Sequence, residues 1–305
     1  MKANEKIIIK DNFILNREKM INEFLGYIDV SPKSQETYKN GLNAFYKYIC
    51  IKNIKNPNRE DILAFREYIK ECLSISTVNT YMIGVRSFFK WLEYRGIYEN
   101  ITENVKGVKI GNSHRKESLT QMQCQEILEN AKDTREKIIF ILAATCGLRA
   151  NELVNIKLED FKIKQGKVCL YVLGKDRDFK EDFVVIPEKL YESINEYIQE
   201  YNITDYLFVS TSNHNNNGKL TTKTLRLIVK NMFKRIGIDS KDYSLHSCRH
   251  YFATNSIKNG VDIREVSQAL RHKSLSTTTI YLHDLEMLNN TCSNKVYNSL
   301  FNEVV

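Results

Sequence analysis

Apolar side chains recur at spacings of three and four residues along most of this 305-residue chain, which is the period of helices that bury one face. The chain has only 3 prolines and 12 glycines, so few positions interrupt such helices. Short β segments are predicted at "KVCLYVL" and "DFVVIP", which flank the turn "GKDRDFKE", with one more candidate at "YLFVS". We therefore expect a mainly α protein with a small β-hairpin or sheet.

Three stretches of the first half carry the helical pattern most clearly. "SQETYKNGLNAFYKYICIK" follows the starting signals Pro32 and Ser34, and "NREDILAFREYIKECL" has Asn58 placed to cap it. "STVNTYMIGVRSFFKWLEYRG" ends at Gly96, in the place of a helix terminator. The exposed face of this third helix offers side chains suited to contacting phosphates, namely Thr77, Asn79, Thr80, Arg86 and Lys90.

The segment "KGVKIGNSHRK" loses the apolar periodicity and reads as a linker over 106–116. It predicts a helical domain over 1–105 and a second domain over 117–305. Residues 1–116 hold 20 Lys and Arg against 13 Asp and Glu, a net charge of +7, whereas the rest of the chain carries +1. This asymmetry favours a first half that grips a polyanion, with Arg115 and Lys116 of the linker along its backbone, although a solvated basic surface has the same composition.

The apolar runs and the cysteine spacing indicate in which compartment the protein is expected. The longest apolar run, "IIFILAATCGL", falls short of the roughly 18 residues of a membrane span, and no small-residue cleavage site follows the first apolar patch. The seven cysteines are scattered and form no C-x-x-C pair, which indicates small core residues rather than disulfides or a thiolate metal site. We expect a cytoplasmic protein without a membrane segment.

The stretch "YSLHSCRHYFATN" places His246, Arg249 and His250 on one helical face. His-x-x-x-His is a zinc-ligand spacing, but the zinc hydrolase motif needs a Glu directly after the first His, and Ser247 stands there. A His and an Arg three residues apart also suit a phosphate. A structural alternative is a helix-capping His with an Arg paired to a local carboxylate.

Further motifs accompany this stretch in a particular order. "ATCGLRANELVNI" contains Arg149, the hairpin turn contains Lys175, and "LRHKSLSTTTIYLH" places His272 nine residues before Tyr281. The order Arg, Lys, His-x-x-Arg, His and Tyr resembles the tyrosine recombinase family, also called the phage integrase family. The resemblance covers nearly the whole chain and implies a helical core-binding domain, "TVNTYMIGVRSFFKWL" included, followed by a mixed α/β catalytic domain.

The resemblance implies a role for each matched residue. Arg149 and Arg249 hold the scissile phosphate, His246 and His272 assist, Lys175 is the hairpin lysine, and Tyr281 is the nucleophile. The chain departs from the family pattern at Arg271, where a Gly usually precedes the His, so the local backbone or a phosphate contact differs there. Ser247 replaces a charged residue, and the hairpin holds two other basic candidates, Arg177 and Lys180.

The chemistry of these residue types agrees with that assignment. Arginines bind phosphate oxygens through paired hydrogen bonds that stabilise the charge developing in the transition state. A tyrosine has an ordinary pKa of about 10, so Tyr281 needs a base or nearby cations to react. A lysine such as Lys175 suits protonation of the departing 5′ oxygen. No metal or other cofactor is needed in this scheme.

By resemblance, the chain cleaves and rejoins duplex DNA at a specific recombination site through a 3′-phosphotyrosine and a Holliday junction, as a homo-tetramer. We also expect a short, Xer-like recombinase without an arm-binding domain. Near-helical spacing in the tail predicts a helix that docks onto a neighbouring protomer or packs on its own core, with apolar residues Leu285, Leu288, Cys292, Val296 and Leu300. The alternatives are an inactive DNA-binding protein of this fold and a metal-dependent nuclease.

Overall fold

A computed structural model describes residues 16–109, 117–174, 179–211, 218–288 and 290–301, but not the side chains at 283–288 and 301. The chain divides into two compact units, Met1–His114 and Arg115–Val305. Arg115, Lys116 and Lys175 lie outside the described residues, as does 110–116 of the predicted linker. The roles predicted for those three residues stay predictions.

The regular elements in the described part of the first unit are all α-helices. They are α1 Arg17–Tyr27, α2 Pro32–Ile51, α3 Arg59–Lys70 and α4 Ile75–Tyr94. Polar side chains begin three of these helices, because Ser31, Asn58 and Ser74 each accept a backbone N–H three residues further on. The predicted cap at Asn58 is confirmed. Gly96 ends α4 with φ +66, as its position predicted.

Two glycines allow α2 and α4 to pack closely. A Cβ atom at Gly41 would lie 2.9 Å from Tyr81 Cα, and one at Gly84 would lie 3.0 Å from Tyr38 Cα. Any larger residue would push the two backbones apart. Beside this crossing, aromatic rings meet edge to face in the core, among them Phe24, Phe45, Phe65, Phe88 and Phe89.

The second unit combines helices with a small antiparallel sheet. Its elements are α5 Gln121–Glu129, α6 Thr134–Thr145, α7 Ala150–Val154, a 3₁₀ turn Leu158–Asp160, β1 Phe161–Lys164, β2 Lys167–Val172, β3 Asp182–Val185, α8 Glu188–Glu200, α9 Thr222–Arg235, α10 Leu245–Lys258, α11 Ile263–Ala269, α12 Ser276–Leu288 and α13 Cys292–Phe301. The sheet order is β1-β2-β3. The mainly α class with a small sheet is confirmed.

The sheet differs from the sequence prediction in two places. Strands β2 and β3 match the predicted segments, but β1 was not predicted; it joins β2 through Gln165 and Gly166, both at positive φ. The segment "YLFVS" forms two isolated bridges instead of a strand, pairing Tyr206 with Lys157 and Val209 with Lys219. One bridge residue at a time is too little pairing to make a strand.

Helix α6 is the centre of the second core. Most of its apolar residues are buried, namely Ile138, Ile139, Phe140, Leu142, Ala143 and Ala144. Helices α8, α9 and α10 pack against it. The loop after its end, starting at Cys146, is therefore held deep inside the unit, and the candidate site begins there.

The tail is not the single helix that its spacing suggested. It forms α12 and α13, which are separate helices. On α13, Val296 is 60% exposed and Leu300 is 74% exposed, so these two side chains do not pack on the core of their own chain. The side chains of Leu285 and Leu288 are outside the described ones, so the contacts predicted for them stay predictions.

Two sequence expectations about apolar residues can also be compared with the structure. Cys124, Cys146, Cys169 and Cys248 are buried and Cys50, Cys72 and Cys292 are exposed, so the prediction of core cysteines was wrong for three of the seven. All seven are free thiols. Among the helices of the described residues, none combines the length and the apolar character needed to cross a bilayer.

Candidate active site

The first part of the site is the turn between α6 and α7. Gly147 has φ +59, and a Cβ atom on it would lie 2.7 Å from Leu270 Cδ2. Arg149 follows as the N-cap of α7, where its backbone N–H donates to Glu152 Oε2 at 2.8 Å and its Nη1 donates to Oε1 at 2.8 Å. Glu152 is 2% exposed and thus holds Arg149 at both ends from a buried position.

The second part is the start of α10. Ser244 caps this helix, and Ser247 Oγ in turn accepts the Ser244 backbone N–H at 3.1 Å. Ser247 is fully buried, so the residue that departs from the family pattern serves the cap. The first turns then carry His246, Arg249 and His250 on one side, as the spacing predicted.

Arg249 joins these two parts. It is 1% exposed, and its guanidinium donates to the carbonyl oxygens of Gly147 and Leu270. Burial, followed by repulsion from Arg149 and Arg271, lowers the pKa of Arg249 to about 9. The group stays cationic at neutral pH, and a bound anion would relieve the repulsion that lowers this pKa.

The two predicted histidines are neutral at pH 7. Burial, with Arg249 and Arg149 nearby, lowers the pKa of His246. Burial and the same two guanidinium groups lower the pKa of His272 to about 4. The His272 Nδ1 atom lies 2.7 Å from the hydroxyl of Thr278, which is fully buried. Each imidazole is therefore free of charge while surrounded by cations.

Tyr281 lies on α12 and closes the cluster. It is 6% exposed, and its ring centroid lies 5.1 Å from that of His250, whose own ring is 4.7 Å from the ring of His246. Ala253 and Leu270 pack with Tyr281 in a small buried cluster. The chain of rings connects the predicted nucleophile to the predicted base.

The structure thus gathers five of the six predicted catalytic residues, namely Arg149, His246, Arg249, His272 and Tyr281. The rival hairpin residue Lys180 is engaged elsewhere, since its Nζ donates to the Asn155 carbonyl at 2.7 Å and pairs with Asp160. Among the described residues, no group of three His, Cys, Asp or Glu side chains is arranged to hold a metal.

Sequence reasoning missed three members of the site, which are Glu152, His250 and Thr278. Glu152 had a usable signal, because an acidic residue three positions after a helix N-cap is the capping-box pattern. His250 was considered only as a metal ligand. Thr278 stands in a run of threonines, and nothing in that run distinguishes it from its neighbours.

The predicted DNA contact of Arg271 has to be corrected. Its side chain is only 5% exposed and its guanidinium pairs with Glu152 at 2.8 Å. The guanidinium is therefore turned into the protein, against the carboxylate that also holds Arg149. Its φ of +54 lies in the left-handed region that favours glycine, so Arg271 has a backbone conformation that a Gly would adopt easily, and the expected difference in the local backbone stays a prediction.

The predicted DNA-contacting face of α4 is also partly used inside the first unit. Asn79 donates to the Val108 carbonyl at 2.8 Å and accepts its N–H at 2.7 Å, and Arg86 donates to the Val105 carbonyl at 3.0 Å. The hydroxyl of Thr80 donates to the Ser76 carbonyl at 2.8 Å.

The other two predicted contacts on α4 differ in exposure. The Thr77 hydroxyl lies 2.8 Å from that of Ser74 at the helix cap, whereas Lys90 is exposed. The contacts of Asn79 and Arg86 clamp 105–108, a segment that includes the first residues of the predicted 106–116 linker, onto α4. Lys90 keeps the exposure that a phosphate contact needs.

Comparison with known proteins supports one family. The phage integrase family model matches residues 117–287, and the phage integrase N-terminal SAM-like domain matches 21–96. Tyrosine recombinase XerA of Pyrococcus horikoshii is 31% identical over 92% of both chains. XerA of Pyrococcus furiosus is 32% identical and covers 87% of this chain and 89% of its own.

Solved structures share the fold. XerH recombinase bound to a palindromic difH substrate, in a post-cleavage complex, superposes with a TM-score of 0.70 at 22% identity, covering 85% of this chain and 80% of that one. A lambda integrase dimer bound to a core site gives 0.68 at 17% identity, covering 85% and 96%. The family model and the curated relatives, which are tyrosine recombinases, identify an enzyme of DNA strand cleavage and rejoining. The chain belongs to the phage integrase family, and its activity is site-specific DNA recombination.

Proposed function

We propose that this protein breaks and rejoins duplex DNA with Tyr281 as nucleophile and Arg149, His246, Arg249 and His272 as the groups that bind and activate the phosphate. The observation that carries the proposal is the gathering of these five side chains, drawn from the α6–α7 turn and from α10 to α12, around one cationic centre. A phosphodiester is the substrate that such a centre attracts.

The two guanidinium groups have distinct tasks. Arg249 is buried and doubly anchored, whereas the side chain of Arg149 is 29% exposed. Arg249 therefore supplies a fixed charge at the floor of the site, and Arg149 supplies the group that reaches the nonbridging oxygens from its edge. The hydrogen bonds of Arg149 and the fixed charge of Arg249 together neutralise the charge that grows as a fifth bond to phosphorus forms.

The histidines act as neutral imidazoles. A bond forms from the Tyr281 phenolic oxygen to phosphorus while the bond from phosphorus to the 5′ oxygen breaks, and the phenolic proton passes to His246. With the Thr278 hydroxyl donating to Nδ1 of His272, its Nε2 keeps the proton and donates to a phosphate oxygen. Lys175 gives its proton to the departing 5′ oxygen, and rejoining runs the same steps in reverse.

We extend the proposal to the whole assembly. The first unit, with the excess of basic residues over 1–116, acts as the DNA clamp, and the unit that follows the 106–116 linker is catalytic. The protein works in the cytoplasm as a homo-tetramer on DNA. One relative in fold, a lambda integrase, is known as a tetramer bound to a Holliday junction. The exposed apolar side chains of α13, Val296, Tyr297 and Leu300, suit docking onto a second copy.

A covalent trapping assay tests the chemistry. Wild type and Tyr281→Phe are incubated in EDTA with nicked duplexes made from DNA that flanks the gene, and denaturing gels show any protein that migrates with DNA. We expect an adduct with wild type and none with Tyr281→Phe. Tyr281→Phe should bind the duplex as tightly as wild type does. Tyr191→Phe on α8 is the matched control and should form the adduct normally.

Three results would overturn the proposal. A cut that requires Mg²⁺ and leaves no adduct would favour a metal-dependent nuclease. An adduct that persists in Tyr281→Phe would assign the nucleophile to another residue. Specific binding of these fragments by a wild type that never forms the adduct would favour the inactive DNA-binding protein.

A further inference from the structure

Arg271 adopts a backbone conformation that its side chain disfavours. Its φ is +54, in the left-handed region, where a glycine would be at ease. The other non-glycine residues at positive φ among the described ones are exposed Asn and Gln in turns, Asn53, Asn104, Gln165 and Asn202. Arg271 alone in this set has a buried side chain, so the side chain itself must account for its presence.

The guanidinium of Arg271 bonds to three groups that surround the phosphate-binding arginines. Nη2 donates to Glu152 Oε2 at 2.8 Å and lies 3.3 Å from the Gly147 carbonyl, and Nη1 donates to the Ala269 carbonyl at 2.6 Å. The same Gly147 carbonyl accepts from Arg249. Arg271 thus contacts the acceptors of both predicted phosphate ligands without being one of them.

Glu152 is the element through which this contact acts. Arg149 holds its Oε1 atom, and Arg271 together with the Arg149 backbone N–H holds Oε2. Burial opposes ionisation of this carboxyl, but Arg271 and Arg149 outweigh that effect and keep the pKa of Glu152 below its usual value. A carboxylate bonded at both oxygens cannot rotate, and the guanidinium of Arg149 is then held in one place.

We propose that Arg271 is a positioning residue for DNA cleavage, acting through Glu152 on Arg149. This inference rests on the proposed function. Its physical basis is that misplacing a catalytic group by about 1 Å can cost about 10²-fold in rate. Planar guanidinium geometry is required for the contacts to Glu152, Gly147 and Ala269, and a lysine ammonium supplies charge without that fork.

The experiment measures three quantities for each variant: the single-turnover rate of adduct formation at saturating protein, the affinity for DNA, and the melting temperature. Arg271→Gly relieves the backbone and removes the guanidinium. We expect it to bind DNA like wild type and to form the adduct about 10²-fold more slowly. Arg271→Lys should recover part of the rate. Gln165→Gly, which relieves positive φ at an exposed turn, is the matched control and should cleave normally.

A double-mutant comparison separates positioning from a general structural role. If Arg271 acts through Glu152, then adding Arg271→Gly to Glu152→Gln should slow the reaction little beyond Glu152→Gln alone. In Arg271→Gly the buried Glu152 carboxylate keeps Arg149 but loses one of its two cationic partners, whereas the double variant has no buried carboxylate there, so the double variant keeps the test available if Arg271→Gly alone fails to fold. If the double variant instead slows adduct formation by the product of the two single-variant factors, the proposal is overturned.

Other outcomes are equally decisive. A wild-type rate in Arg271→Gly would overturn the inference while leaving the proposed function intact. Weaker DNA binding with an unchanged rate at saturation would make Arg271 a DNA contact instead. Absence of the adduct in wild type, on DNA that it binds specifically, would overturn the proposed function, and this inference with it.

Discussion

Replacement of Gly147 by alanine is expected to damage stability and catalysis together. The new Cβ atom would lie 2.7 Å from Leu270 Cδ2 and 3.0 Å from Phe252 Cδ1, with φ at +59. A left-handed non-glycine residue costs about 1–2 kcal/mol. Overpacking a core adds about 1–3 kcal/mol. We therefore expect Gly147→Ala to lower the free energy of unfolding by about 3 kcal/mol.

A matched variant isolates the packing contribution. Gly237 has φ +79, and a Cβ atom added there would meet no other atom within 4 Å, so Gly237→Ala carries only the backbone cost. For a unit of this size, about 3 kcal/mol corresponds to a fall of about 6–12 °C in melting temperature. Circular dichroism melting of the full chain measures the melting temperature of both variants and of wild type. Equal losses for Gly147→Ala and Gly237→Ala would refute the packing argument.

The same substitution should reduce activity well below the melting temperature. The carbonyl of Gly147 accepts from Arg249, and the carbonyl of Leu270, the residue that the new Cβ would push, accepts from the same guanidinium. Moving both acceptors displaces Arg249 from the floor of the site. Adduct formation at low temperature should therefore slow in Gly147→Ala but not in Gly237→Ala, and a normal rate would show that Arg249 tolerates the shift.

Three further predictions concern pH, the clamp and assembly. The pKa of His272 is about 4 in the folded protein and near its ordinary value of 6.5 in the unfolded chain, so the unfolded chain binds the proton first as pH drops. The free energy of unfolding should therefore fall between pH 6.5 and pH 4. In melting curves recorded over this range, His272→Asn should reduce the dependence of stability on pH. Asn79→Ala removes two hydrogen bonds to Val108, costs about 1–3 kcal/mol, and should speed hydrogen exchange of the Val108 amide, whereas Thr80→Ala should not. Leu300→Asp should weaken tetramer assembly on DNA in sedimentation experiments without slowing single-site cleavage; an unchanged tetramer would refute docking through α13.

Local features were predictable because their causes lie within a few residues. The cap at Asn58 and the stop at Gly96 follow from side chains beside the backbone groups they satisfy. The shared face of His246, Arg249 and His250 follows from the helix period alone. The residues chosen for catalysis were found from their order along the chain, and five of them meet in the structure.

Features that depend on distant partners were not predictable. Arg271 read as a DNA contact because its partner, Glu152, is 119 positions away in the sequence. Asn79 read as a phosphate ligand because Val108 is 29 positions away. In both cases the sequence shows a polar side chain that could bind a phosphate. Only the packing of the chain shows that this side chain is already hydrogen-bonded to a group inside the protein.

The amino-acid sequence by itself determined the helical class, the helix boundaries that depend on capping residues, and the chemical types available for a phosphate site. Those properties arise from periodicity and from contacts within one turn of helix. Only the tertiary structure decided that Arg249 is buried, that the pKa of His272 falls to about 4, and that Glu152 is shared by two arginines. Burial and electrostatic coupling depend on which groups are neighbours in space, and folding brings together segments, such as Gly147 and Arg249, that stand 102 positions apart in the sequence.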